Sequence, residues 1–170
     1  IRSVAAYNDA LVMAVNANGN GSIERFSITA DSTETVFESR HELNGICYLD
    51  SLNWLAAGYG LVVHSKNAGA SWDTLDIQGD QFVDFSKTIQ GALFMLGVAG
   101  TVYKILPNPL RFEKIRKGGI IGSQAPLQAI CFKNESEGLI AGENGTILIT
   151  RNSGEDWIVV DDLPVFDVKD

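Results

Sequence analysis

Short apolar runs, separated by small polar turns, recur along the whole chain. In the C-terminal quarter these runs cover residues 128–133, 138–141, 145–150 and 156–160, with glycine, asparagine or serine between them. Runs of about four to eight residues that are rich in Val, Ile, Leu and aromatic side chains are typical of β-strands. No segment repeats its apolar residues with the period of an α-helix. The pattern therefore predicts an all-β chain.

The strands group into four units of similar length, at about residues 1–42, 43–81, 82–126 and 127–163. The second and fourth units align best, since Leu-Asn-Gly-Ile-Cys-Tyr in one matches Leu-Gln-Ala-Ile-Cys-Phe in the other. Repeats of about 40–50 residues with several short strands each are the signature of a β-propeller. The chain is therefore predicted to be a single β-propeller module with four antiparallel blades of four strands each.

A further alternating run, residues 164–170, follows the fourth unit. It is either the first strand of a fifth blade or a strand that closes the ring against the first blade. Four blades can close a ring, so both interpretations stay open. We favour a partial propeller that further blades or another copy of the chain complete.

An eight-residue pattern occurs once in the second unit and once in the fourth. It reads S-x-N-x-G-x-x-W in the first copy and T-x-N-x-G-x-x-W in the second. Each copy follows an alternating apolar run, as in a hairpin between the third and fourth strands of a blade. The patterned positions are Ser65, Asn67, Gly69 and Trp72, and Thr150, Asn152, Gly154 and Trp157.

Each patterned position has a physical role in such a hairpin. The asparagine is expected to accept hydrogen bonds from backbone N–H groups two residues on, and the hydroxyl to bond across the turn. Glycine supplies positive φ without steric cost, and tryptophan is expected to bury between adjacent sheets. Decayed copies are expected at residues 29–36 and 104–112, with Val36 and Phe112 at the tryptophan position. We interpret the pattern as structural.

The two patterns resemble Asp-box motifs, also called bacterial neuraminidase repeats. Their lead-ins, residues 57–65 and 141–150, resemble a segment of propellers related to the photosystem II assembly and stability factor. The resemblance covers all four units, although both copies carry asparagine where aspartate is usual. It implies that the motif faces away from the binding face. It also implies an assembly or interaction role in an extracytoplasmic location, either secreted or periplasmic.

Charge and hydropathy exclude several kinds of partner. The net charge is −8 with a pI near 4.7, so nucleic acid is not an expected partner. No stretch reaches the roughly 18 apolar residues of a membrane span. We expect a protein partner, with carbohydrate as the alternative.

The two cysteines, Cys47 and Cys131, lie in matching Ile-Cys contexts of the second and fourth units. Equivalent positions two blades apart are not neighbours, so a disulfide between them is not expected. We expect two buried free thiols.

Catalysis is the alternative function, because Asp-box propellers include sialidases and other glycoside hydrolases. A sialidase needs converging arginines, a tyrosine nucleophile with its glutamate, and an acidic aspartate. No arginine here lies in an F/Y-R-I-P context. Asp50 and Asp84 could line the channel mouth, but we interpret them as solvated loop carboxylates.

The remaining chemical signatures do not occur in the sequence. The two histidines, His41 and His64, lie in different units, and no metal-ligand spacing, phosphate loop or nucleophile elbow is present. We therefore expect a non-catalytic binding or assembly scaffold without cofactor or metal. The alternative is part of a glycoside hydrolase, sialidase-like or carbohydrate-binding propeller.

Overall fold

The computed structural model describes residues 1–7, 10–77, 80–117 and 125–160. These residues form sixteen β-strands and one short 3-10 turn, arranged as four antiparallel sheets of four strands. The prediction of an all-β fold with four-stranded blades is confirmed. The described residues include no helix long and apolar enough to cross a membrane.

Each sheet takes its four strands in chain order. The first blade contains β1 Ser3–Tyr7, β2 Ala10–Ala17, β3 Asn20–Ser27 and β4 Ser32–Ser39. The second contains β5 Leu43–Tyr48, β6 Trp54–Gly58, β7 Leu61–Ser65 and β8 Asp73–Leu75. The third contains β9 Phe82–Lys87, β10 Leu93–Gly97, β11 Thr101–Pro107 and β12 Leu110–Lys117. The fourth contains β13 Leu127–Phe132, β14 Gly138–Gly142, β15 Ile147–Thr150 and β16 Ile158–Val159.

The first strand of each blade lies innermost. Strand β5 contacts β1 on one side and β9 on the other, and β9 contacts β13, so these four strands follow the axis of the arc. The outer strands of neighbouring blades lie farther apart. The fold is thus an arc of four blades that fan out from a common centre.

Apolar side chains fill the space between successive blades. Every residue of β6 and of β10 is buried, as expected for strands covered on both faces of the sheet. The largest side chains between blades one and two are Ile23, Leu43 and Trp54. Those between blades two and three are Phe82, Met95 and Tyr103. Those between blades three and four are Phe94, Phe132 and Trp157.

Hydrogen bonds from side chains also join the innermost strands. The N–H of Ile46 donates to Ser3 Oγ at 3.1 Å, and the N–H of Ile130 donates to Asp84 Oδ2 at 2.9 Å. The N–H of Phe132 donates to Ser86 Oγ at 2.8 Å. Because backbone pairing is confined to each sheet, these bonds are the polar link between blades near the axis.

The two cysteines differ in environment although their local sequences match. Both are free thiols. Cys47 is half-buried beneath the third blade, and desolvation raises the pKa of its thiol. Cys131 is exposed, so the expectation of a buried thiol was wrong there. Among the described residues, no blade follows the fourth to cover it.

Candidate functional site

The two ends of the blades carry different loops, because strands in each blade alternate in direction. One end holds the turns from first to second strand and from third to fourth strand. It includes both eight-residue hairpins, at residues 65–72 and 150–157, and we call it the tryptophan end. The other end holds the turns from second to third strand and the connections between blades. We call it the tyrosine end, after Tyr59 in the β6–β7 turn.

A single hydroxyl organises the hairpin of the second blade. Ser65 Oγ accepts hydrogen bonds from the N–H groups of Asn67 at 3.3 Å and Gly69 at 2.8 Å, and it donates to Asn67 Oδ1 at 2.9 Å. Asn67 Oδ1 also accepts from the N–H of Ser71 at 2.9 Å. The indole N–H of Trp72 donates to the carbonyl of Gly69 at 3.1 Å. The turn is therefore closed almost wholly by its own side chains.

The hairpin of the fourth blade repeats this network. Thr150 Oγ1 accepts from the N–H groups of Asn152 at 3.3 Å and Gly154 at 2.9 Å, and it donates to Asn152 Oδ1 at 3.0 Å. The N–H of Asp156 and the indole N–H of Trp157 close it, each at 3.0 Å. The two copies thus build one geometry from different hydroxyl residues.

One expected hydrogen bond differs from the structure. The asparagine oxygen accepts from the N–H four residues on, whereas the hydroxyl of Ser65 or Thr150 accepts from the N–H two residues on. The difference arises because two successive residues adopt positive φ and bend the chain back. They are Ala68 and Gly69 in one copy, with φ of 56° and 82°, and Ser153 and Gly154 in the other, with 63° and 85°. Sequence reasoning identified only the glycines.

The box tryptophans pack toward the preceding blade. Trp72 is half-buried in the cluster between blades one and two, and Trp157 is buried between blades three and four. Phe112 packs in the same direction, edge-on to Tyr103 with ring centroids 6.4 Å apart. Val36 instead packs toward the second blade, because among the described residues no blade precedes the first.

The two candidate carboxylates serve the backbone. Asp50 Oδ1 accepts from the N–H groups of Leu52 and Asn53 at 2.8 and 2.9 Å. Desolvation raises the pKa of Asp50, but these hydrogen bonds outweigh it and leave the pKa below its usual value. Asp84 lies within β9 rather than in a loop, so the description of a solvated loop carboxylate was wrong there. Burial raises the pKa of Asp84, against the N–H bonds from Ile130 and Phe85.

The two histidines occupy different environments. His64 is buried with Nε2 3.1 Å from Asn53 Oδ1, and burial lowers its pKa, helped by the charge of Lys66. His41 lies at the surface of the tyrosine end. Within the described ranges, no three acidic, histidine or cysteine side chains group together as metal ligands would.

An aromatic side chain is displayed at the tyrosine end. Tyr59 is 58% exposed, and its ring stacks on His41 with centroids 6.0 Å apart and planes 28° apart. Its backbone is fixed from two sides. The N–H of Tyr59 donates to the carbonyl of Glu42 at 3.0 Å, and Tyr59 pairs with Gln81 in an isolated antiparallel bridge.

Close backbone packing explains how Tyr59 is held. The neighbouring Gly58 lies so near the connection between the first two blades that a methyl group there would overlap the carbonyl of Glu42. Gly60, with φ of 62°, then makes the tight turn. Sequence reasoning did not select Tyr59. The available signal was an aromatic residue at a turn position where the fourth blade has Glu143 and Asn144.

The fold and its repeated hairpins define the chain as an arc of a β-propeller. No protein-family model matches the sequence, and no curated protein matches it. Solved propellers match the structure instead. YCF48 from Cyanidioschyzon merolae superposes with a TM-score of 0.61 at 11% identity, over 93% of this chain and 58% of that chain. The YCF48 structure bound to D1 peptide gives 0.56 at 13%, over 92% and 44%.

The WD40 repeats of RRP9 give a TM-score of 0.69 at 11% identity, over 93% of this chain and 50% of that chain. The chain thus spans about half the length of these solved propellers. Identity at this level supports the shared fold alone.

Proposed function

We propose that this chain is a non-catalytic propeller that binds a protein partner, as an assembly or interaction scaffold, at its tyrosine end. The observation that carries the proposal is the exposed Tyr59, stacked on His41 and anchored by its backbone. Tyrosine is enriched among the residues that dominate binding energy at protein interfaces. A side chain already fixed by its surroundings loses little further freedom on binding, which favours affinity.

Two further features support a protein partner. A propeller of similar fold, YCF48, has been solved with a D1 peptide bound. The net charge of −8 attracts cationic partners at long range. An exposed tyrosine face also attracts lysine and arginine side chains by a cation–π interaction. The proposed ligand is therefore a basic peptide segment.

The proposal assigns the twin hairpins a structural role. We interpret them as Asp-box hairpins whose Asn, Gly and Trp residues fold the turn and fill the space between blades, away from the binding end. The internal hydrogen bonds of Ser65 and Thr150 support this interpretation, since these hydroxyls are committed to the turn. We also propose an extracytoplasmic location, as the resemblance to Asp-box propellers implies.

A displayed library of random peptides, selected on the folded chain, tests the proposed function. The dissociation constants of selected peptides are then measured by calorimetry for the wild type and for three variants. Tyr59→Ala is expected to weaken binding by about 30-fold, the effect of an interface hot spot. Tyr59→Phe keeps the ring and is expected to bind within about threefold of the wild type.

The matched control is Ile89→Ala, which removes an exposed side chain at the tryptophan end. It is expected to leave peptide affinity unchanged. Selected peptides that respond to Ile89→Ala and not to Tyr59→Ala would place the binding face at the wrong end. An oligosaccharide array that gives ligands where the peptide library gives none would replace the protein partner with carbohydrate.

A further inference from the structure

The outward face of the fourth blade is an uncovered apolar surface. Paired residues of its four strands form one row across the sheet, comprising Cys131, Leu139, Ile149 and Ile158. Leu139 is 39% exposed and Ile158 is 65% exposed. The row lines a shallow groove whose polar rim includes Lys133 and Arg151. Among the described residues, no other strand packs on this face.

The second blade carries the same row, and there the row is covered. Cys47 and Leu55 stand where the fourth blade has Cys131 and Leu139, and Leu55 is fully buried. The cover is the third blade, which contributes Leu93 and Met95 from β10. A face of this composition is thus buried within the same chain by a blade of known sequence.

The first blade repeats the covering surface of the third. Leu11-x-Met13 of β2 matches Leu93-x-Met95 of β10. The pair Leu93 and Met95 is buried against the second blade. Leu11 and Met13 instead lie on the outward face of the first blade, where neighbouring Val4 is 50% exposed. The two end faces of the arc are therefore the two halves of an interface that the chain already makes internally.

The curvature of the arc fits a ring of about twice this length. Four blades superpose on the RRP9 propeller with a TM-score of 0.69 over 50% of that chain. An arc that bends as half of a larger ring leaves its own ends apart. The principal contacts between blades run from the first to the second, the second to the third and the third to the fourth, without joining the first to the fourth.

We propose that a second copy of this chain docks head to tail, with its first blade on the fourth blade of its partner. The Val4 and Met13 row then covers the Leu139 and Ile149 row as the third blade covers the second. Rotation by a two-fold axis forms the same contact at the other end, so the assembly closes with eight blades. The dimer interfaces are side faces and leave the tyrosine end free.

Light scattering coupled to size-exclusion chromatography tests the proposal on the 170-residue chain. The expected mass is twice the 18.4 kDa of one chain. Because each copy carries a charge of −8 and the interface is apolar, added salt is expected to strengthen the association. A mass of one chain at all concentrations and salt levels would overturn the proposal.

Charge substitutions on each end face test the pairing. Leu139→Glu and Val4→Glu each place a carboxylate in the interface and are expected to weaken association by about 100-fold or more. Both positions are exposed in a single arc, so far-ultraviolet circular dichroism should stay that of the wild type. Ile89→Glu, on an exposed loop away from both faces, is the matched control and should remain dimeric.

Mixing the two variants distinguishes head-to-tail from face-to-face pairing. A mixture of Leu139→Glu and Val4→Glu retains one intact interface and is expected to recover part of the dimer, which neither variant forms alone. If two fourth blades paired with each other, Val4→Glu would leave the dimer unchanged, and the proposal would be wrong.

Reaction of Cys131 with a thiol reagent gives a second readout. In the dimer Cys131 lies under the partner's first blade and should react at least about tenfold more slowly than in the Leu139→Glu variant. A monomer with protected Cys131 would show that residues 161–170 of the same chain cover the face. A monomer with reactive Cys131 would show that no second copy binds there. Either result overturns the proposal.

Discussion

Replacing Gly58 by alanine should destabilise the protein more than replacing Gly60, although only Gly60 has positive φ. A methyl group at Gly58 would overlap the carbonyl of Glu42 and lie 2.7 Å from Leu43 Cα. Both obstacles are backbone atoms, so no rotamer change relieves them. Overpacking of this kind costs about 3 kcal/mol, and loss of the hydrogen bond from Tyr59 to Glu42 adds about 1 kcal/mol. The expected loss is therefore about 3–4 kcal/mol.

Gly60 provides the matched comparison. A methyl group there meets no atom within 4 Å, so Gly60→Ala bears only the strain of the left-handed conformation at φ of 62°. That strain is about 1–2 kcal/mol. Urea unfolding at a fixed protein concentration measures both values, because dimerisation would make stability depend on concentration. A larger loss for Gly60→Ala than for Gly58→Ala would refute the reasoning from backbone packing.

Three further predictions concern the hairpins and one histidine. Trp157→Ala should cost about 3–5 kcal/mol in unfolding free energy and Trp72→Ala less, because Trp157 is 8% exposed and Trp72 is half-buried; equal losses in urea would contradict this. Thr150→Val keeps the shape but leaves the N–H of Gly154 without its acceptor, and should cost about 1–3 kcal/mol by the same assay. Burial lowers the pKa of His64 in the folded state, so the unfolded chain binds more protons below its pKa of 6.5, and stability should fall as pH drops from 7 to 5. His64→Gln should reduce this fall, and an unchanged pH profile would disprove the role of His64.

Local patterns in the sequence predicted the sheets well. Strand runs, turn glycines and the repeated hairpin depend on residues close in the chain, and the structure has four-stranded blades as expected. The detail of the hairpin was less accessible. That Ala68 and Ser153 adopt positive φ follows from the whole hydrogen-bond network of the turn, which no single residue type signals.

The candidate site depends on segments that are distant in sequence. Tyr59 is displayed because Glu42 and Gln81, from two other connections, hold its backbone. Cys131 shares its local sequence with Cys47, yet its exposure depends on which blade lies against it. Burial of this kind is a property of neighbouring sheets, so a pattern within one unit does not predict it.

The alternation between blades has a consequence for how such a chain changes length. Blades with the tryptophan hairpin alternate with blades that bear the Leu-x-Met face, so complementary surfaces return only every second blade. Duplication or deletion of a single blade would bring two faces of the same type together. A pair of blades is therefore the smallest genetic unit that can be gained or lost with every junction still matched.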